Sequence, residues 1–524
     1  MTYPKQLVQF RPTQGLNVDL PPSEVGPEFY TGGSNLHFRE GFCQRTQGEA
    51  QVYGTLASNL RNILNLQDNG GINYWVYSGA DTVTKITAAL SNDITPAAGL
   101  TSEDSPDQFT TGLLNGLMHW NNGIDPPYWQ DGSPDALMEV LPGWPVGDTC
   151  QSMRAFKYHL FAMDISTSGG DFPMQVKWSA SAPPGAIPTE WAATAANDSG
   201  DTQLSDMPGP IIDGAPLRGS FIIYKNRSCY ICDYVGGAFV FSFRKLFVTN
   251  GVMARNCIAD YQGRHYVLGA DDIYVHDGNT IKSLLDDRAR SAVFDALDQE
   301  NYRNSFVLNY EKQKEIWFCI PTASSPNGFA NVAVIYNLDE DAWSSRLIVS
   351  AAHGFVGLVN DQAPDDSWDS DSQAWDLDVT NWQEQGFNIA QESLVYASTD
   401  EVTPTDSRLV EVDTGSDFAG QPILANVQKY GMHFDEPDRN KIVKRCYPKF
   451  TANDGVAIQI RVGGSQNVDG TITWSNPVTV TKGGLQRADL FAQGKYISFE
   501  ASSQGGLPWQ MTGFDLEVEM RGYF

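Results

Sequence analysis

Helix signals, basic residues, histidine and long apolar runs are all scarce in this chain of 524 residues. No run approaches the roughly 18 apolar residues of a membrane span, so membrane insertion is not expected. Only 35 Lys and Arg stand against 63 Asp and Glu, and the net charge of −28 argues against tight binding to phosphate backbones. Nucleic acid could pass such a surface without being held by it, because an acidic wall repels it. The 7 His show no HxH, HxxxH or HExxH spacing, and no GxSxG elbow or P-loop occurs. The 7 Cys are odd in number and scattered, several within apolar runs such as "IWFCIP". That excludes a disulfide framework and points to folding in a reducing compartment. The N-terminus lacks the apolar stretch of a secretory signal. No cofactor, metal or catalytic set is expected.

What the chain does have is turns and aromatics: Gly 48, Pro 28, Trp 13, Tyr 21 and Phe 26. That mixture belongs to β-rich folds. From Gly219 onward, short β-prone runs alternate with turn dipeptides. In "NCIADYQGRHYVLGADDIYVHDGNTIKSL" the turns fall at Gln262-Gly263, Asp271-Asp272 and Asp277-Gly278. Such four-strand meanders recur every 40–50 residues or so, the size of a propeller blade. A series of β-sandwiches is the alternative. The one strong helix signal is Leu284–Arg303, where Leu285, Ala289, Val293 and Leu297 fall near helical spacing and Asp286 or Asp287 is placed to cap the start. Beyond Gln421 the alternation implies a separate sheet: Ile497, Phe499 and Ala501 share one face, as do Phe514, Leu516, Val518 and Met520. The expectation is an all-β chain with few helices: an extended arm at 1–30, a β-propeller at 31–420, and a β-sandwich-like region at 421–524 packed on the propeller.

Local candidates for chemistry are weak. Cys229-Tyr-Ile-Cys232 has CxxC spacing but lies in a strand-like run with no second pair, which reads as structure. The acidic segment 363–381 contains "DSDSQAWDLDVT", which lacks the Gly and Glu of an EF-hand. A looser calcium site and a solvated loop both remain open there. Asp469-Gly470 is a hairpin-turn signal. The basic run Arg439, Lys441, Lys444, Arg445 and Lys449 contrasts with the acidic chain. It reads as an intersubunit contact, with a nucleic-acid patch as the alternative.

The stretch "FYTGGSNLHFREGFCQRTQG" is the most patterned. Asn35-x-x-Phe38-Arg39-x-Gly41-x-x-x-Arg45-x-x-Gly48 resembles an N-terminal phrase of virion structural proteins in tailed phages, and "Lys-Arg-x-Tyr-Pro" at Lys444–Pro448 and the C-terminal "GKYISFEASS … PWQMTGFDLEVEMRG" are similar to the same group. The overall plan resembles the tail nozzle or hub proteins that stabilise packaged DNA in short-tailed bacteriophages. The resemblance implies a non-catalytic β-propeller subunit in a homo-oligomeric, hexameric ring below the portal or tail adaptor, near tail fibres or a needle. Genome DNA would be retained by it and pass through its lumen on infection without tight binding. It also implies assembly in the host cytoplasm and residence in the virion tail. Asn35, Phe38, Arg39, Gly41, Arg45, Gly48, Lys441, Lys444 and Arg445 are the structural and assembly candidates. The opening stretch is expected to clamp the start of the first blade, with glycines for turns, Phe38 and Phe42 as anchors, and Arg39 and Arg45 paired to carboxylates. The rival is a tail-associated propeller that binds or cleaves carbohydrate, with Trp368 and Trp375 stacking on sugars.

Overall fold

Alternating apolar residues and tight turns produce meanders that hydrogen-bond locally and stack radially. The computed structural model describes residues 5–522 except 57–58, 68–72, 88–89, 102–106, 238, 287, 360–391, 400–406 and 419–420. The acidic segment 363–381, with Trp368 and Trp375, therefore lies outside the described residues. Five separate four-stranded antiparallel sheets cover residues 62–93, 110–140, 149–203, 211–247 and 258–283, here blades 1 to 5. A nine-stranded sheet supplies two more. Blade 6 comprises Phe306–Tyr310, Glu315–Ile320, Ala330–Asn337 and the first part of the long strand Ala342–Leu358. The second part of that strand begins blade 7, followed by Glu392–Ser398, Ser407–Val412 and, from far upstream, Glu49–Leu56.

The blades close into a ring through bonds between neighbours. Thr111 Oγ1 donates to Asn62 (3.1 Å), Met153 N to Thr110 Oγ1 (3.0 Å), and Ser152 Oγ to Asp213 (2.7 Å). The His265 ring meets the Pro216 carbonyl (2.8 Å), and Val307 N donates to the Asn256 carbonyl (2.8 Å). His353 Nδ1 completes the circle by donating to the Ile63 carbonyl of blade 1 (3.2 Å). The expected blade at Ile258–Ser283 forms with the expected turns: Gln262 and Gly263 both take positive φ (51° and 70°), the hairpin geometry that matches strand twist.

The C-terminal region is a sandwich of two six-stranded sheets. Phe514, Leu516 and Val518 of one sheet and Ile497, Phe499 and Ala501 of the other are all buried in one core, and Phe499 stacks on Phe514 with ring centroids 3.7 Å apart.

Two boundaries differ from expectation. Lys5–Phe10 is no free arm; it pairs with Trp509–Met520 along the sandwich. Gly32–Ser34, Leu36–Arg39 and Phe42–Arg45 also belong to the sandwich sheets rather than to the propeller. Strand pairing over sequence separations near 500 residues leaves no local signal. The expected helix shrinks to Arg290–Phe294 plus a 3-10 turn at Tyr302–Asn304. Leu285, Ala289, Val293 and Leu297 are buried as their spacing suggests, but Asp286 has φ 37°, outside the right-handed helical region. The carboxylate bound to the helix start is Asp19, which accepts from Arg290 N (2.7 Å) and Ser291 N (2.8 Å).

Candidate functional site

The opening stretch folds into a junction. Leu36–Arg39 and Phe42–Arg45 form a hairpin whose turn, Glu40-Gly41, has both φ values positive (53° and 73°), which explains Gly41. Phe38 is buried in the sandwich core and Phe42 is half-buried. Instead of starting the first blade, the hairpin lies against blade 6. Leu347 N donates to Asn35 Oδ1 (2.9 Å), and Asn35 Nδ2 donates to the Leu424 carbonyl (3.0 Å). Asn35 tolerates φ 57° here better than most residues would.

Arg39 pairs with a carboxylate, as expected. Its guanidinium and His37 Nδ1 both contact Glu315 Oε1 (2.9 and 3.0 Å), while Trp317 Nε1 donates to Oε2 (3.0 Å). Burial alone raises the Glu315 carboxyl, but His37 and Arg39 outweigh it and hold it at about 2. Arg45 donates to the carbonyls of Ile423 (3.2 Å), Thr46 (3.2 Å) and Ser416 (2.5 Å), with the Asp417 carboxylate as a charged neighbour. Burial and the neighbouring Arg346 lower it to about 10. At Gly48 a Cβ would sit 2.7 Å from backbone atoms of Asp417 and Ser416, so glycine is required by close approach.

Arg346, fully buried, is the centre that sequence reasoning missed. It donates to Asp413 (2.8 Å), Glu49 (3.1 Å) and the carbonyls of Gln47 (3.2 Å) and Gly48 (3.3 Å). Tyr396 donates to the other Glu49 oxygen. The cluster joins blade 6, blade 7 with its closing strand, and the segment that follows the hairpin. Its only local sign is an arginine ending the run "NVAVIYNLDEDAWSSR".

The basic run lies on the sandwich, away from this junction. Lys441 is buried, its ammonium bound to the carbonyls of Arg439 (2.9 Å), Lys495 (2.7 Å) and Glu436. It is therefore not the surface contact its sequence setting suggests. Lys444 pairs with Glu519 (2.8 Å), Arg445 with Glu517 and Asp489 (3.1 Å each), and Lys449 with Asp515 (3.0 Å). The contrast in the sequence is thus met across the sheet by carboxylates of Trp509–Met520, because the strands pair in register.

A concavity lies on the propeller axis: a cavity of about 350 Å³ bounded by the innermost strands of blades 2 to 7. Thr111, Arg154, Asn256, Asn309 and His353 are its polar lining, together with Asp213. Arg154 holds Asp213 in a two-pronged pair (2.8 and 2.6 Å), and Asn256 N and Ser152 add bonds to the same carboxylate. Burial opposes the Asp213 charge, yet Arg154 and these donors keep its carboxyl below the usual range. Burial, then the nearby Arg154, depresses His353 to about 4 and His119 to about 3, so both rings are neutral near pH 7. Cys229 and Cys232 fall in different cores, on opposite faces of one strand, and burial raises both thiols. Among the described residues no cluster of three metal-ligating side chains occurs.

No family model and no curated protein matches the sequence. Among solved structures the chain is similar to the AfRom2 CNH domain, at 8% identity over 71% of this chain and 99% of that one, with a TM-score of 0.36. A likeness at that level carries no argument about this chain.

Proposed function

We propose that this chain is a virion structural protein: a nozzle or hub subunit of a short-tailed phage, acting in a ring that closes the tail channel, retains packaged DNA and releases it on infection. The observation that carries the reading is the junction. The phrase that resembles those proteins, Asn35 to Gly48, uses its polar groups within the chain, binding blade 6 and the sandwich linker. A propeller welded to a sandwich by buried charge suits a load-bearing wall better than a hinged enzyme. The net charge of −28 suits a surface past which DNA slides. No catalytic role is assigned, and the tail adaptor or portal is the expected neighbour.

The test is electron microscopy of the purified protein alone and added to a portal–adaptor complex, with light scattering for mass. A hollow ring in either preparation is expected. A monomer that stays off the complex and turns over a polysaccharide panel would overturn the reading.

A further inference from the structure

Blades 2 and 4 of the propeller differ in charge. Residues 110–148, containing blade 2, hold five carboxylates and no lysine or arginine. Residues 211–248, containing blade 4, hold five lysines and arginines against two aspartates, within a chain of net charge −28. Blade 4 thus runs against the charge of the molecule.

The outer edges of these two blades expose apolar side chains. The outer strand of blade 2 is Glu139–Val140, exposed at both residues, with Leu137 (45%) and Val140 (44%) in solvent beside Asp135. On blade 4, the hairpin before the outer strand Phe241–Phe247 presents Phe239 at 81% exposure and Val235 at 56%, and Val248 follows the strand at 67%. Arg244 and Lys245, exposed on opposite faces of that strand, lie between them in the chain. Their contacts with Asp233 (3.3 Å) and Asp206 (2.9 Å) are surface pairs, too exposed to fix either base in place. Among the described residues, both outer strands end their sheets and leave one edge without a strand partner. Apolar patches rimmed by charge, on open strand edges, are sites where another chain docks.

We propose that the outer edge of blade 4 docks on the outer edge of blade 2 of a second copy of this chain, with Phe239 and Val248 meeting Leu137 and Val140, and Arg244 and Lys245 facing Asp135 and Glu139. This rests on the ring reading above and names its contact. The two patches differ, so the contact is head-to-tail. They lie two blades apart among seven, and their outward directions diverge by about 100°. A head-to-tail contact closes into a ring when its rotation returns to the starting copy without a rise, which is what the ring reading requires, and otherwise runs on as a filament.

Charge-swap rescue tests this. Sedimentation velocity is run on the wild-type chain, on Arg244→Glu/Lys245→Glu, and on Asp135→Lys/Glu139→Lys, with thermal melts confirming that each is folded. The wild type is expected to associate, more weakly at about 500 mM than at about 50 mM salt. Each double variant alone is expected to bind itself at least tenfold more weakly. An equimolar mixture of the two should regain assembly, because each reversed edge then meets an opposite charge. Phe239→Ser should weaken association without changing its salt dependence. A wild type that stays monomeric at about 100 μM, variants that assemble like the wild type, or a mixture that fails to regain assembly would each overturn the proposed contact. The ring reading is judged separately on the portal–adaptor complex. Rings formed there by both reversed variants would sink this interface and leave the ring intact, whereas absence of a wild-type ring would sink the ring itself.

Discussion

At Glu315 a single carboxylate of blade 6 receives His37, Arg39 and Trp317, three groups that would otherwise sit near or below the surface without a partner. Removing one partner of a buried ionic cluster costs more than removing a rim residue. Glu315→Ala is therefore expected to lower unfolding free energy by about 3–5 kcal/mol, and Arg39→Ala, on the partly exposed side, by about 1–2 kcal/mol. Chemical denaturation checks both; equal effects would mean that the cluster is not organised around Glu315. The basic run gives a second contrast. Lys441→Ala leaves carbonyls unpaired in the interior and is expected to cost about 1–3 kcal/mol, whereas Lys444→Ala removes an exposed ammonium from Glu519, which keeps Arg521 (2.9 Å), and should cost under about 1 kcal/mol. Equal losses would contradict the burial of Lys441. Glycine behaves similarly: Gly41→Ala meets open space and bears only the positive φ, about 1 kcal/mol, while Gly48→Ala meets backbone and should cost several times more.

At the level of elements, the first 56 residues serve both modules. Lys5–Phe10, Gly32–Ser34, Leu36–Arg39 and Phe42–Arg45 complete the sandwich sheets, and Glu49–Leu56 closes the propeller. Truncation to residues 57–524 is expected to abolish cooperative unfolding of both modules together, read as loss of a single thermal transition and gain of dye binding. A truncated chain retaining a sharp propeller transition would show that the closing strand is dispensable. The meander at Ile258–Ser283 was legible because each turn and strand is set by neighbours in sequence. The closing strand was not, since nothing within Glu49–Leu56 reports a partner at Ser407–Val412. The helix expected over Leu284–Arg303 illustrates the converse: its periodic apolar residues are buried, yet tertiary packing supplies that burial largely without helix.

For the whole molecule, acid sensitivity follows from neutral buried histidines. Tyr224 links His265 (2.8 Å) and His276 (2.5 Å), and His265 bonds the Pro216 carbonyl. Burial lowers His265, and burial with the neighbouring His265 lowers His276 to about 3. With His119 and His353, four rings resist protonation in the folded state but not in the unfolded one. The unfolded chain then binds more protons below its ordinary histidine value near 6.5, so stability present above that pH falls as pH decreases toward about 4. Each ring contributes up to about 1.4 kcal/mol per pH unit. Asp164, raised to about 6 by burial, acts oppositely: its contribution is lost as pH rises through about 6. Burial also raises Glu49 and Asp272, and four lowered rings against three raised carboxyls set the net sign. Denaturation midpoints are expected to fall between pH 6.5 and pH 5 by an amount that His276→Gln reduces; midpoints rising over that interval would reverse the assignment.

The sequence alone determined the all-β character, the blade-sized meanders and the apolar faces of the C-terminal sheets. Each of these depends on period-two alternation or on turn chemistry within a few residues. Tertiary structure decided that the described residues form seven blades, that the N-terminal segment belongs to the sandwich, that Arg45 binds carbonyls, and that Arg346 holds the junction. Those outcomes depend on which distant segments meet, and a buried arginine acquires its partners only when strands hundreds of residues apart come into contact.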